Sequence, residues 1–226
     1  MKVLNLYAGI GGNRKLWEDV EVTAVELDPI IAGIYQDNFP DDTVIVGDAH
    51  QYLLDHYKDG FDLIWASPPC PTHSRFKEWQ VKIESQSPVY PSMILYQEIL
   101  FLQTFCKGKY CVENVISYYD PLIKPQTIGR HYFWANFIIR EHRIGPSKIQ
   151  FGKINEWETN LGFDLSKYKG IDKRKILRNC TEPELGKLIL DCARGNTQAA
   201  LTAFSKSLGT SIKTKQLRTV TGSSKP

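Results

Sequence analysis

Short apolar runs alternate with longer stretches of mixed polarity through the first half of the chain, and this alternation predicts strands and helices in turn. Lys2–Tyr7 reads as a strand that stops at Gly9, Gly11 and Gly12, followed by a helical stretch from Asn13 to Glu18. Val22–Leu27 is a second strand. Pro29, which suits the first turn of a helix, opens one that runs toward Asn38. Thr43–Val46, Phe61–Trp65 and Tyr110–Glu113 are three more strands, separated by helices over Ala49–Tyr57 and Met93–Cys106. Such a chain predicts an α/β fold with a mostly parallel sheet covered on both faces.

After Val115 the alternation stops. Residues 130–140 (RHYFWANFIIR) are aromatic and β-branched with no helix between them, which predicts an antiparallel strand or hairpin at the sheet edge. Residues 145–176 are polar, carry Gly, Pro and Lys, and show no assignable period. Pro183–Ala193 reads as a helix with Thr181 as N-cap and Glu184 three residues on. From Gly195 onward Ser, Thr, Lys and Gly dominate, and a mobile tail is expected.

A length of 226 residues fits one domain with a small appendage. With 42% hydrophobic residues, the core is large enough to hold a cofactor cleft without staples. The five cysteines are an odd set with no CxxC pair, which argues against a disulfide framework and against a zinc site; no metal is expected. The longest apolar run, Met93–Cys106, is short and broken by Gln97, Glu98 and Gln103, so no membrane span is expected. No charged-then-apolar leader opens the chain, and the expected location is the cytoplasm. Charge is uneven. Residues 1–164 carry 15 Lys and Arg against 21 Asp and Glu, whereas residues 165–226 carry 13 against 4. A basic C-terminal part suits phosphate contact, and on charge alone it suits a solvated tail equally well.

Three stretches carry candidate chemistry. Gly9-Ile10-Gly11-Gly12 lies between a strand and the next helical pattern, where backbone amides can approach a ligand. Glu26 ends the following strand, where an acid can accept hydrogen bonds from both hydroxyls of a ribose. Taken alone, the pair fits NAD, FAD or S-adenosylmethionine, and a GxGG spacing in place of GxGxxG lowers the dinucleotide reading. Asp48 ends the third strand, as an adenine contact or as a helix cap. Ser67-Pro68-Pro69-Cys70-Pro71 closes the fourth strand and stiffens the chain around one thiol, whose thiolate is a strong nucleophile. Glu113-Asn114-Val115 ends the fifth strand, where a partly buried acid can stay protonated and donate to a ring nitrogen.

The ordered set Tyr7 to Gly12, Glu26, Gly47-Asp48, Pro68-Pro69-Cys70, Glu113-Asn114-Val115 and Gly129-Arg130-His131 resembles the cytosine-5 DNA methyltransferase family. Asn179-Cys180-Thr181-Glu182-Pro183, ahead of a helix, is similar to the family's last motif. The resemblance implies a Rossmann-like class I methyltransferase fold that uses S-adenosyl-L-methionine. It implies a cofactor site at Tyr7, Gly9, Gly11, Gly12, Glu26, Leu27, Asp48, Ala49, Pro68 and Asn179, with Glu26 on the ribose and Asp48 on the adenine. It implies catalysis by Cys70, which adds to C6 of a cytosine flipped out of duplex DNA, with Glu113 gripping the base and Arg130 near the nucleophile. Residues 71–92 are expected to form the mobile loop that closes over the base. The implied organisation is a catalytic domain over 1–140, a reduced recognition region over 141–178, a helix over 179–194 completing the catalytic domain, and a basic tail over 195–226. The expected setting is a prokaryotic cell or its virus, with restriction–modification one candidate role.

Two positions depart from the family. Tyr132 stands where a second base-contacting arginine is usual, and Leu27 where an aromatic often stacks on adenine. Only residues 138–178 lie where a substantial recognition domain is usual. Three readings follow: a DNA methyltransferase with short or relaxed sequence preference, an RNA cytosine-5 methyltransferase, or a catalytic subunit that works with a separate recognition partner.

Overall fold

The computed structural model describes residues 1–83, 87–140 and 152–195. Strands β1 (Lys2–Leu6), β2 (Glu21–Glu26), β3 (Thr43–Val46), β4 (Leu63–Ala66) and β5 (Lys109–Val115) are parallel. Strands β6 (Gln126–Ile128) and β7 (His131–Ala135) form an antiparallel hairpin, and β7 pairs antiparallel with β5. The sheet order is β3-β2-β1-β4-β5-β7-β6, so β3 and β6 are the two edges and the hairpin forms one of them.

The pleat sends successive residues to opposite faces. Val3, Leu63, Trp65, Cys111 and Phe133 pack on one side, where α1 (Pro29–Asn38), α5 (Ile154–Leu161), α6 (Lys173–Arg178) and α7 (Pro183–Arg194) supply Ile34, Trp157, Leu177 and Ile189. Leu4, Leu6, Ile64, Ala66, Val112 and Trp134 face the other side, against α2 (Ala49–His56) and α4 (Ile94–Phe105), which supply Leu53, Ile99 and Leu102. Burial on both faces explains why β4 (LIWA) reads as an unbroken apolar run. The expected α/β class and antiparallel hairpin are both present.

Four local expectations are corrected. Residues 13–18 form turns, not a helix: Arg14, Lys15 and Trp17 donate to carbonyls three residues back. Their side chains are claimed elsewhere. Asn13 pairs with the buried Asn5 of β1, Arg14 reaches Asp42, and the Trp17 indole donates to the Gly186 carbonyl in α7. Within the expected loop 71–92, residues Arg75–Ile83 form α3. The N-cap of α7 is Glu182 rather than Thr181, because Pro183 occupies the first turn. Residues 152–178, partly unassigned from the pattern, contain α5 and α6 and place Trp157, Leu161, Phe163, Leu165 and Leu177 in the core. Residues 196–226, expected to be a tail, and residues 141–151 lie outside the described residues. Among the described residues no helix is long and apolar enough to cross a membrane.

Candidate active site

Because β1 to β5 are parallel, the segments that follow them emerge at one edge of the sheet, where open α/β sheets hold their ligands. On the β1–β3 side the Gly9 amide donates to Glu26 Oε2 at 2.9 Å and the Asp28 amide to Oε1 at 3.0 Å. Glu26 therefore braces the glycine turn and the entry to α1. The three glycines are not equivalent. A side chain on Gly9 would meet open space, but its φ of +55° disfavours one. A methyl on Gly11 would overlap the Phe39 ring, and one on Gly12 would lie 2.6 Å from the Thr181 carbonyl oxygen. Gly9 faces a ligand space; Gly11 and Gly12 let α1 and the residues ahead of α7 close in behind it.

Leu27 and Val46 leave 68% and 56% of their surface exposed at this edge, an apolar shelf suited to a flat ring. Asp48 beside it is exposed and caps α2, accepting from the Gln51 amide through Oδ1, while Ala49 is buried in the first turn. Tyr7, at φ +58°, donates its hydroxyl to Glu98 Oε1 at 2.6 Å. Glu98 is fully buried in α4 and also meets His50 Nδ1 at 3.0 Å. Burial raises the Glu98 carboxyl, and burial together with Glu98 pushes the Tyr7 phenol far above its usual range. This group holds the wall of the cleft behind the glycine turn.

On the β4–β5 side Pro68 is buried and its carbonyl accepts from the Asn114 amide at 2.9 Å, so the Glu113-Asn114-Val115 strand end is tied directly to the proline-flanked cysteine. Cys70 is half-buried. Burial, and secondarily the field of Glu113, raise its thiol above the usual value, so at neutral pH the sulfur is held protonated until something draws the proton away. Glu113 is buried and its Oε1 meets His131 Nδ1. His131 Nε2 lies 3.6 Å from Glu182 Oε2, and Glu182 Oε1 lies 3.4 Å from the Arg130 guanidinium. Burial alone would lower the His131 ring; Glu113 and Glu182 overcome it and raise it to about 9. Glu113 is thus engaged through one oxygen by His131, a partner that the sequence reading did not give it. Arg130, expected near the nucleophile, is held by Glu182. Asn179 ends α6, exposed, one residue before the Cys180–Thr181 segment that abuts Gly12.

The model of the C-5 cytosine-specific DNA methylase family matches residues 1–84, which hold the glycine turn, Glu26, Asp48 and Cys70. A curated relative, the tRNA (cytosine(38)-C(5))-methyltransferase of Spodoptera frugiperda, is 31% identical over 154 residues, 66% of this chain. Over its first 84 residues the chain resembles the cytosine-C5 methyltransferase family. The match spans 45% of the length of that methyltransferase relative. Among solved structures, a methyltransferase of Entamoeba histolytica superposes with a TM-score of 0.51 at 12% identity, over 88% of this chain and 99% of that one. At that identity the likeness concerns the fold, which is the expected Rossmann-like methyltransferase sheet.

Sequence reasoning about this chain did not assign Glu98, His50, His131 and Glu182 as site groups. Glu98 had a signal: it interrupts the apolar stripe Leu95, Tyr96, Ile99 and Leu102 of α4. His131 and Glu182 were named only as parts of matched motifs, because their partnership exists only once α7 docks.

Proposed function

We propose that the chain transfers a methyl group from S-adenosyl-L-methionine to C5 of cytosine in DNA, with Cys70 as nucleophile on a flipped base. One observation carries this reading: a half-buried thiol at the end of β4 lies in the field of the buried Glu113 carboxylate, across the edge from a glycine turn braced by a second carboxylate. The residues at the β1–β3 edge fit the cofactor. Glu26 offers acceptors for ribose hydroxyls, the Leu27–Val46 shelf and Asp48 suit an adenine, and Gly9 leaves room for the chain between them. Bound there, S-adenosyl-L-methionine supplies an electrophilic methyl group. Cys70 adds to C6 of the base, and its thiol proton passes to N3 by way of Glu113 Oε2, where the developing charge is taken up. C5 becomes nucleophilic and is alkylated; loss of its proton to solvent expels Cys70 and restores the aromatic ring.

RNA is a second substrate reading, favoured by the tRNA methyltransferase named above. A catalytic subunit served by a separate recognition chain is a third, favoured by the 41 residues, 138–178, between hairpin and final motif. Tritiated methyl transfer to duplex DNA, single-stranded DNA and tRNA tests all three. Incorporation into cytosines of duplex DNA is expected; incorporation into tRNA alone would move the reading to RNA. Silence on every substrate with cofactor binding intact would point to the missing recognition chain.

Glu26→Ala should weaken S-adenosylmethionine binding by roughly ten- to a hundred-fold, the loss of one or two hydrogen bonds to a charged group. Titration calorimetry measures this, and unchanged affinity would put the ribose contact elsewhere.

A further inference from the structure

The Glu113 carboxylate cannot orient itself. It ends a strand, with rotatable bonds between backbone and oxygens, yet base recognition requires one oxygen presented in a fixed direction. In this chain a second group supplies that constraint. His131 Nδ1 meets Oε1, and β5 and β7 are in register so that Glu113 pairs with Phe133 and Val115 with His131. His131 is itself held from the far side by Glu182 at 3.6 Å, and Glu182 by Arg130 at 3.4 Å. The side chains of His131, Glu113 and Glu182 are all at most 9% exposed, so the charges interact through protein rather than water.

We propose that His131 is a positioning residue for the methyl-transfer reaction: lying between Glu113 and Glu182 it occupies Oε1, leaves Oε2 to the cytosine N3, and fixes the direction in which Glu113 is presented to the base. The proposal rests on the methyltransferase reading above. Charges alternate along the row, Arg130 positive, Glu182 negative, His131 positive and Glu113 negative, with the Cys70 thiol beyond Glu113. Among the described residues Glu113 and Glu182 act on the ring directly, from β5 and from the residue ahead of α7, while Arg130 acts through Glu182 and Cys70, Cys111 and Cys180 lie in the field of the two carboxylates. Because Glu182 immediately precedes α7, docking of that helix sets the ring that sets the carboxylate.

The same arrangement gives a pH signature. The folded His131 value of about 9 lies above the ordinary 6.5, so its contribution to stability is complete below 6.5 and is lost as pH rises through 9. Asparagine at 131 keeps an amide donor where Nδ1 stands but carries no charge; phenylalanine keeps the ring shape and removes both. For His131→Asn we expect kcat to fall by about tenfold to a hundredfold at pH 7.5 with KM within about threefold, and for His131→Phe a larger fall. A break in the slope of log kcat against pH near 9 should be present in the wild type and absent from His131→Asn. The melting temperature of the wild type should likewise decline relative to His131→Asn between pH 6.5 and 9. Wild-type kcat in His131→Asn, with the break retained, would overturn the proposal and leave the ring a structural spacer. Absence of transfer by the wild type on DNA and tRNA, together with absence of S-adenosylmethionine binding, would instead fail the methyltransferase reading, and the proposal with it.

Discussion

Cys70→Ala is expected to lower methyl transfer by at least about 10⁴-fold, the scale on which loss of a covalent nucleophile is felt, while S-adenosylmethionine affinity stays within about twofold. The asymmetry follows from the architecture. The cofactor groups lie after β1, β2 and β3, whereas the thiol lies after β4, and what fixes the backbone around it is not the sulfur. Asn114 holds the Pro68 carbonyl at 2.9 Å, and the Cys70 carbonyl accepts from the His73 amide at 2.9 Å. Alanine keeps both bonds and removes only the reacting atom. None of the five cysteines is paired in a disulfide, so the substitution breaks no cross-link. The same chemistry predicts a positive signal from the wild type. DNA containing 5-fluorocytosine should stall after methylation, because fluorine cannot leave C5 as a proton does, and the mass of the trapped adduct should map to Cys70. An adduct in the alanine variant, or one mapping to another residue, would remove Cys70 from the mechanism.

Much of this site was legible in the chain because its parts follow strands. A run such as Leu4, Leu6 or Leu63, Ile64, Trp65 has no polar face to confuse, and what comes after it must stand at the carboxyl edge of the sheet. Proline-proline-cysteine, Glu113 and the glycine turn were located by that rule alone. The 13–18 segment failed for a corresponding reason. Asn13, Arg14 and Trp17 are compatible with a helix locally, but each side chain is bound to a residue remote in sequence or to a carbonyl in the turn, and the backbone follows them. α3 was hidden by the prolines and serines on either side of it. The Arg130–Glu182–His131–Glu113 row joins a hairpin to the start of the last helix. No periodicity in either segment refers to the other, so only the folded chain reveals it.

Gly186→Ala is expected to destabilise the protein by about 3 kcal/mol, near the upper end of the usual cost of overpacking, and to lower the melting temperature by roughly 6–12 °C for a chain of this size. Taken by helix propensity the sign should be opposite, because alanine in a helix interior is worth about 1 kcal/mol over glycine. Packing decides. Gly186 lies in the first turns of α7, and a methyl there would overlap the backbone of Asn13, while the Gly186 carbonyl already accepts the Trp17 indole at 3.0 Å. Neither neighbour can yield cheaply. Asn13 is locked to Asn5 in the central strand, and Arg194 at the far end of α7 donates to the Glu18 carbonyl at 2.5 Å. Lifting α7 would also withdraw Glu182 from His131, so transfer should drop more than cofactor affinity. Gly33→Ala provides the internal control. Gly33 is in α1, exposed, with nothing within 4 Å of an added methyl, and the same substitution there should stabilise by up to about 1 kcal/mol. Thermal melts of the two variants should therefore move in opposite directions. A stabilised Gly186→Ala would mean that α7 does not press on the turn after the glycines, and the cleft wall would have to be built another way.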